Sequence, residues 1–258
     1  MKQITVIKIG GNVIDNEEVL NAFLARFAAI EGDKILVHGG GKLASRLQKE
    51  LGQEVQMIDG RRVTDRATLD VVTMVYAGLV NKQIIAKLQA LGCNAIGLSG
   101  ADGNIVRAHR RPAKPIDYGF VGDIDGVDTT MLRSLLEAGL TPVFSAIMHD
   151  GAGTLLNCNA DSVTQAVALG AAQLAPTDLV FCFEKHGVLS DAENDDSVIA
   201  CITPDSYLQL KADGIVSGGM IPKIENALRA VEQGVRTVRI KHADDLLEES
   251  AGTTICNA

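Results

Sequence analysis

Short apolar runs recur along the chain, and each ends on glycine or a polar turn. The first covers Ile4 to Ile9 and stops on Gly10-Gly11; residues 34–37 stop on His38 and three glycines; residues 94–98 stop on Ser99-Gly100. Residues 142–147, 179–183 and 237–240 are further runs of this kind. Continuous apolar runs of this length predict strands buried on both faces. Between them the spacing changes: Leu20, Phe23, Phe27 and Ile30 fall three and four apart, the pattern of one helix face. Asp15 with Glu18 three places on predicts a capping box for that helix. Residues 41–51 and 67–91 also read as helices.

Strand and helix in alternation predict an α/β fold, an open and mainly parallel sheet with helices on both faces. One segment departs from it. Residues 104–109 alternate, 110–118 carry Pro112 and Pro115, and 120–124 resume, which predicts a hairpin with a long tip, a flap outside the central sheet. The chain shows no internal repeat and no linker. A boundary near residue 175 divides it into lobes of 1–175 and 176–258 that share one sheet.

Composition narrows the picture. The 258 residues are 47% apolar but only 3% aromatic, with no Trp, so the core is built from Val, Ile, Leu and Ala. A formal net charge of -8 disfavours nucleic acid or an anionic membrane as partner. It does not disfavour a small phosphorylated ligand, which feels the local cleft. The five cysteines are widely spaced, without C-x-x-C, so neither a disulfide framework nor a zinc site is indicated. All but Cys158 read as small core hydrophobes, and Cys158 is expected to point inward as well. With no signal-peptide pattern and no run of membrane-spanning length, the expected location is the cytoplasm.

The candidate chemistry sits where the runs end. Lys8 interrupts an otherwise apolar strand just before Gly10-Gly11, where a ligand can approach the backbone and meet a positive charge. His38-Gly39-Gly40-Gly41 opens a helix and bares successive N–H groups to an anion. His38 itself reads as a packed loop residue. Neither glycine loop fits the dinucleotide or P-loop spacing. Arg62, in Gly60-Arg61-Arg62-Val63-Thr64-Asp65, either offers its fork to a carboxylate or pairs with Asp65. Asn157 and Asn159 fall on one side of an extended segment, and Asp161 either serves the site or caps the helix that follows. Lys223 follows Gly218-Gly219-Met220 and occupies a helix's first turn, where the dipole repels a cation unless an anion compensates. Two lysines, glycine loops, an arginine and amides suit a reaction that needs positioning and charge neutralisation. With no general-base dyad, no histidine–serine pair and no metal-ligand cluster, phosphoryl transfer to an already anionic acceptor fits best.

These motifs, with Asn81-Lys82, Gly97 to Gly103 and Gly252-Thr253-Thr254-Ile255, occur together and in an order that resembles the N-acetylglutamate kinases of the amino acid kinase superfamily. The likeness covers nearly the whole chain. It implies a three-layer αβα sandwich on a mainly parallel eight-stranded sheet, and ATP-dependent phosphorylation of the N-acetyl-L-glutamate side chain in arginine biosynthesis. Lys8 and Lys223 would neutralise the phosphoryl group in flight, with Asp161 holding both ammonium groups. Gly10, Gly11, Gly40 and Gly41 would supply backbone donors, Gly40 and Gly41 on the substrate side. Arg62 and Asn157 would bind the acylamino acid, with Asn159 beside them, and the 103–124 hairpin would be the lid. Gly218, Gly219 and Met220 would border the nucleotide, and Mg2+ would be held through phosphates and waters, without a protein ligand. A homodimer formed through the N-terminal half is implied. The chain starts at the first strand, without the extra N-terminal helix of arginine-inhibited members, which implies insensitivity to arginine.

One loop departs from the family. Where Thr/Ser-Asp-Val-x-Gly is usual, this chain reads Phe183-Glu184-Lys185-His186-Gly187. Glu184 could replace the aspartate's contact and Lys185 could reach a phosphate. Two alternatives stay open: another N-acylglutamate such as N-succinylglutamate, whose second carboxylate the basic hairpin could meet, and a non-catalytic regulator that binds nucleotide or amino acid on the same fold.

Overall fold

The computed structural model describes residues 3–256 except 59, 192, 218 and 219, so the expectations for Gly218 and Gly219 lie outside the described residues. The first half runs β1 (Ile4–Ile9), α1 (Gly11–Ile14), α2 (Glu17–Ala29), β2 (Asp33–His38), α3 (Gly41–Glu50), β3 (Met57–Ile58), β4 (Arg61–Arg62) and α4 (Arg66–Val72). A π-helical stretch, Thr73–Val80, joins α4 to α5 (Asn81–Ala90) without a break. There follow β5 (Ala95–Leu98), β6 (Val106–Arg110), β7 (Gly122–Val127), α6 (Thr129–Glu137), β8 (Thr141–Phe144), β9 (Ile147–His149), β10 (Leu155–Asn157) and α7 (Ala160–Ala172). The last part holds β11 (Thr177–Phe183), β12 (Cys201–Ile202), α8 (Pro204–Ala212), α9 (Met220–Glu232), β13 (Thr237–His242) and β14 (Thr253–Ile255).

Eight strands form the central sheet in the order β12-β14-β13-β11-β1-β2-β8-β5. Every pairing in it is parallel except β13 with β14. Strand parity decides what each face buries. Ile4 and Val6 of β1 join a core built with α6, α7 and α9, whereas Ile7 and Ile9 join one built with α2, α4 and α5. Two helical layers therefore sandwich the sheet. The helix from 66 to 90, long and apolar enough on length and composition to cross a membrane, is a core helix: Leu69, Val72, Val75, Val80, Ile84 and Leu88 are buried.

The expected flap is present as a second sheet, β10-β9-β6-β7, in which β6 and β7 pair antiparallel. Residues 142–147 are not one strand, however. β8 ends at Phe144, and the chain changes sheets so that Ile147 starts β9. The α2 cap also differs from expectation: Asn16, not Asp15, accepts from the N–H groups of Glu18 and Val19 at 3.0 and 3.2 Å. Asn16 directly precedes the first helical residue, where the side-chain oxygen reaches the orphan donors.

Candidate active site

Lys8 faces the α7 side of the sheet because it shares parity with Ile4 and Val6. There its Nζ lies 3.0 Å from Asp161 Oδ1, in the first turn of α7. The contact is an ion pair without an aligned hydrogen bond to that buried oxygen. Asn159 caps this helix, accepting from the N–H groups of Asp161 and Ser162 at 2.8 and 3.1 Å, so Asp161 is not the cap and its carboxylate remains for the lysine. α9 packs on the same face through Ile224 and Ala227 and carries Lys223 there. Both ammonium groups stand over the ring of Phe183, Lys8 at 5.3 Å and Lys223 at 4.3 Å from its centroid. Asp161, Phe183 and Lys223 also line one small cavity of about 30 Å³. Two cations 215 positions apart in sequence thus share one aromatic ring.

Two larger cavities lie at the carboxyl ends of β1, β2 and β11, where open parallel sheets bind their ligands. One, about 610 Å³, is lined by Gly10, Gly11, Phe183, Glu184, Lys185, Met220 and Lys223. A Cβ on Gly10 would lie 3.7 Å from Lys8 Nζ, so the glycine turn and the lysine border the same space. Lys185 lines this cleft but pairs with Asp195 at 2.7 Å, which holds its ammonium toward the acidic loop. The other cavity, about 170 Å³, is lined by Gly39 to Gly41, Arg61, Arg62, Tyr76, Asn157 and Asn159. Gly41 and Arg62 line both, so the two spaces meet there. A groove of about 950 Å³ over β1, β11 and β13 is larger, but it has the Asp178–Arg236 ion pair and none of the site residues.

Arg62 is buried. It donates to Gln48 Oε1, to Gly41 O at 2.9 Å and to Ser45 Oγ at 2.7 Å, and its Nε has no partner. Asp65 does not neutralise it; that carboxylate accepts from Thr68 N–H at 2.7 Å as the cap of α4. Among the described residues this buried guanidinium meets no carboxylate, and it lines a cavity, an arrangement that suits an anion. Asn157 donates to Thr64 Oγ1 at 3.0 Å, and the 118–121 segment runs between these two residues with Phe120 N–H on Thr64 O at 2.6 Å. The base of the flap therefore forms one wall, Val121, of the Arg62 cavity.

His38 holds the glycine loop in place. Its Nδ1 donates to Gly39 O at 2.8 Å and its Nε2 accepts from Asn81 Nδ2 at 3.1 Å. Full burial pushes its pKa down to about 4, so it is neutral and already committed on both nitrogens. Gly40 has φ +152°, and a Cβ there would lie 2.9 Å from Tyr76 Cδ1, which explains glycine at this position. His38 is thus packed as expected, but as the last residue of β2 and not in the loop, and the described residues lining the Arg62 cavity include no His, Asp or Glu. The basic hairpin is internally paired: Arg111 with Asp123, Arg110 with Asp117 and His109 with Asp125. Sequence reading missed Tyr76, Gln48 and Ser45, which support Arg62 and the glycine loop from helices with no motif of their own.

Two cysteines also depart from expectation. Cys93, Cys158 and Cys182 are buried, but Cys201 is exposed and Cys256 half-buried, with their sulfurs 3.7 Å apart. β12, which carries Cys201, is the edge strand of the sheet, and Cys256 directly follows its neighbour β14.

Known proteins bear directly on this arrangement. Residues 3–242 match the model of the amino acid kinase family. The chain is 51% identical to an acetylglutamate kinase of Phocaeicola vulgatus, covering 98% of each chain, and 52% identical to one of Cytophaga hutchinsonii, covering 96% of this chain and 94% of that one. Among solved structures, smu.665 from Streptococcus mutans superposes with a TM-score of 0.79 at 29% identity, with 99% of each chain covered. With its sheet order, its two glycine loops and full-length relatives of this kind, the chain belongs to the amino acid kinase family, beside the acetylglutamate kinases.

Proposed function

We propose that this protein is an ATP-dependent kinase that converts N-acetyl-L-glutamate to N-acetyl-L-glutamyl 5-phosphate, a step of arginine biosynthesis. The observation that carries the reading is the convergence of Lys8 and Lys223 on Phe183, at the edge of a cleft that meets the Arg62 cavity. The larger cleft takes ATP, with Gly10, Gly11, Met220 and the 184–187 loop along its walls. Residues 176–258 supply most of that nucleotide lobe, and 1–175 the acceptor lobe. The smaller cavity takes the acylated amino acid, its α-carboxylate on Arg62 and its amide side on Asn157, with Gly40 and Gly41 behind the reacting carboxylate.

The acceptor is an anion at neutral pH, so the reaction needs no base, in keeping with the committed, neutral His38. Charge is the obstacle. As the phosphoryl group moves between two anionic oxygens, Lys8 and Lys223 offset its charge from two sides, and preorganised cations in a partly dry site do so without reorganisation. Asp161 is a positioning residue that keeps Lys8 extended toward the cleft. Among the described residues lining the nucleotide cleft Glu184 is the one carboxylate. That donor set suits Mg2+ held by phosphate oxygens and water; once bound, the ion lowers the charge of ATP. A homodimer through the N-terminal half is supported by Leu51, Met57, Met74, Leu79 and Leu91, exposed apolar side chains of that half.

The acyl group has a second reading with its own observation. Arg61 lines the acceptor cavity beside Arg62 and would face a carboxylate on the acyl chain, as in N-succinylglutamate. An ADP-release assay with N-acetylglutamate, N-succinylglutamate, glutamate and aspartate decides among these. Turnover confined to acylated glutamates supports the proposal, and their ratio fixes the acyl group. Turnover on free glutamate alone reassigns the substrate, and ADP release with none of them points to a regulator.

A further inference from the structure

We propose that His186, His242 and Asp245 form a binding site for a borderline first-row divalent cation of the zinc class, beside the nucleotide cleft and separate from Mg2+. β11 and β13 are neighbouring parallel strands in which Phe183 pairs with His242, so both strands end side by side. His186 follows β11 by three residues, His242 closes β13, and Asp245 lies in the short 3-10 turn Ala243–Asp245. One donor atom from each of the three lies within 4.8 Å of the others. The imidazole rings stack with centroids 4.8 Å apart, and His186 Nδ1 is 2.6 Å from Asp245 Oδ2.

The donor chemistry favours zinc over magnesium. Two imidazoles and a carboxylate suit Zn2+, whereas Mg2+ prefers an all-oxygen octahedron. Tetrahedral zinc with bonds of about 2.0–2.1 Å needs ligand atoms about 3.3 Å apart. The widest separation therefore closes by roughly 1.5 Å or less and the 2.6 Å pair opens slightly, movements within reach of the exposed His186 loop. Binding through His186 Nδ1 breaks its contact with Asp245, moves the ring proton to Nε2 and leaves the Nδ1 and carboxylate lone pairs on the ion. His242 Nδ1 accepts from Asp244 N–H at 3.2 Å, which puts the ring proton on Nε2; ligation through Nε2 moves that proton to Nδ1 and gives up this bond. Asp244 Oδ2, 3.5 Å from Nδ1, then stands as an outer partner for that proton and orients the ring. The cation would tie the 184–187 loop, where the sequence departs from its family, to the end of β13.

The paired thiols of Cys201 and Cys256 are a rival soft site, so the test uses Cys201→Ser as parent. Calorimetric titration of that protein with ZnCl2 in millimolar Mg2+, without nucleotide, is expected to show one site of micromolar order. H242A and, separately, H186A in the same background are expected to weaken it at least tenfold. Circular dichroism of H186A, a change at an exposed loop residue, guards against a folding artefact. No binding by the parent, or equal binding by the parent and both histidine variants, would overturn the proposal. Neither result touches the kinase reading, which ADP release without zinc reports separately.

Discussion

Replacing Lys8 with methionine removes one ammonium and leaves an apolar stem of similar length against the ring of Phe183. The Lys8 side chain is only 11% exposed, so the screening appropriate to a surface lysine does not apply. At an effective dielectric of about 20, a unit charge about 4 Å from the migrating group contributes about 4 kcal/mol. At 1.36 kcal/mol per decade, that corresponds to a loss of about 10³-fold in kcat. Stability should hardly change. Asp161 is 37% exposed and sits at a helix N-terminus, where a lone carboxylate is tolerated, so the ion pair contributes about 1 kcal/mol at most. For a chain of this size that lowers Tm by about 2–4 °C. Steady-state ADP release with saturating acylglutamate gives kcat, and a thermal melt gives the control. A folded Lys8→Met protein with kcat within tenfold of its parent would refute the assignment of Lys8 to the transferring phosphoryl group.

Arg62→Lys keeps the charge but loses the fork that bonds Gly41 O and Ser45 Oγ. KM for the acylglutamate should rise about 10–100-fold, with a smaller change in kcat, and an unchanged KM would place the acceptor elsewhere. His38 gives a pH dependence of defined sign. Its folded pKa of about 4 lies below the unfolded value of about 6.5, so the unfolded state binds the extra proton between them. Stability is complete above about pH 6.5 and falls by about 3 kcal/mol on approach to pH 4; urea midpoints over this range should fall more steeply for the parent than for His38→Gln. A thiol-reactive aromatic disulfide should modify Cys201 and Cys256 in the native protein and the other three cysteines only after unfolding. Burial holds the thiols of Cys158 and Cys182 up at about 12, and fast native labelling of either would contradict their packing.

The legible part of this molecule is the part written in contiguous residues. Gly10-Gly11, His38 to Gly41 and Asn157 to Asp161 announce themselves because a strand end, a glycine turn and a helix start follow one another directly. Strand parity even assigns Lys8 a face, and knowing that α7 covers that face would have predicted its meeting with Asp161. The supports of Arg62 are different. Gln48, Ser45 and Tyr76 stand on ordinary helix surfaces, and only the packing of α3 and the long helix against the 57–62 hairpin makes them its partners. His186 and His242 are 56 positions apart and meet because β11 and β13 are neighbours in the sheet, which spacing cannot reveal. Cys93, Cys158 and Cys182 are buried as expected, but composition says nothing about edges, and Cys201 and Cys256 belong to the border of the sheet.

The wide turn at 73–80 sets the rotational phase of the whole long helix. Tyr76, beneath Gly40, and Asn81, bonded to His38, are five residues apart, and the N–H of Asn81 donates to the carbonyl of Tyr76. At about 3.6 residues per turn, side chains five apart would diverge by about 140°; the wider coil brings them to the same flank. Two anchors of the glycine loop thus depend on the count of residues between them as much as on their identity. Removing one residue while restoring ordinary pitch leaves the pair four apart, within about 40° on one flank, whereas adding one residue turns Asn81 away by about a further 100°. Insertions here should therefore be far less tolerated than a single deletion or than substitutions of equal volume.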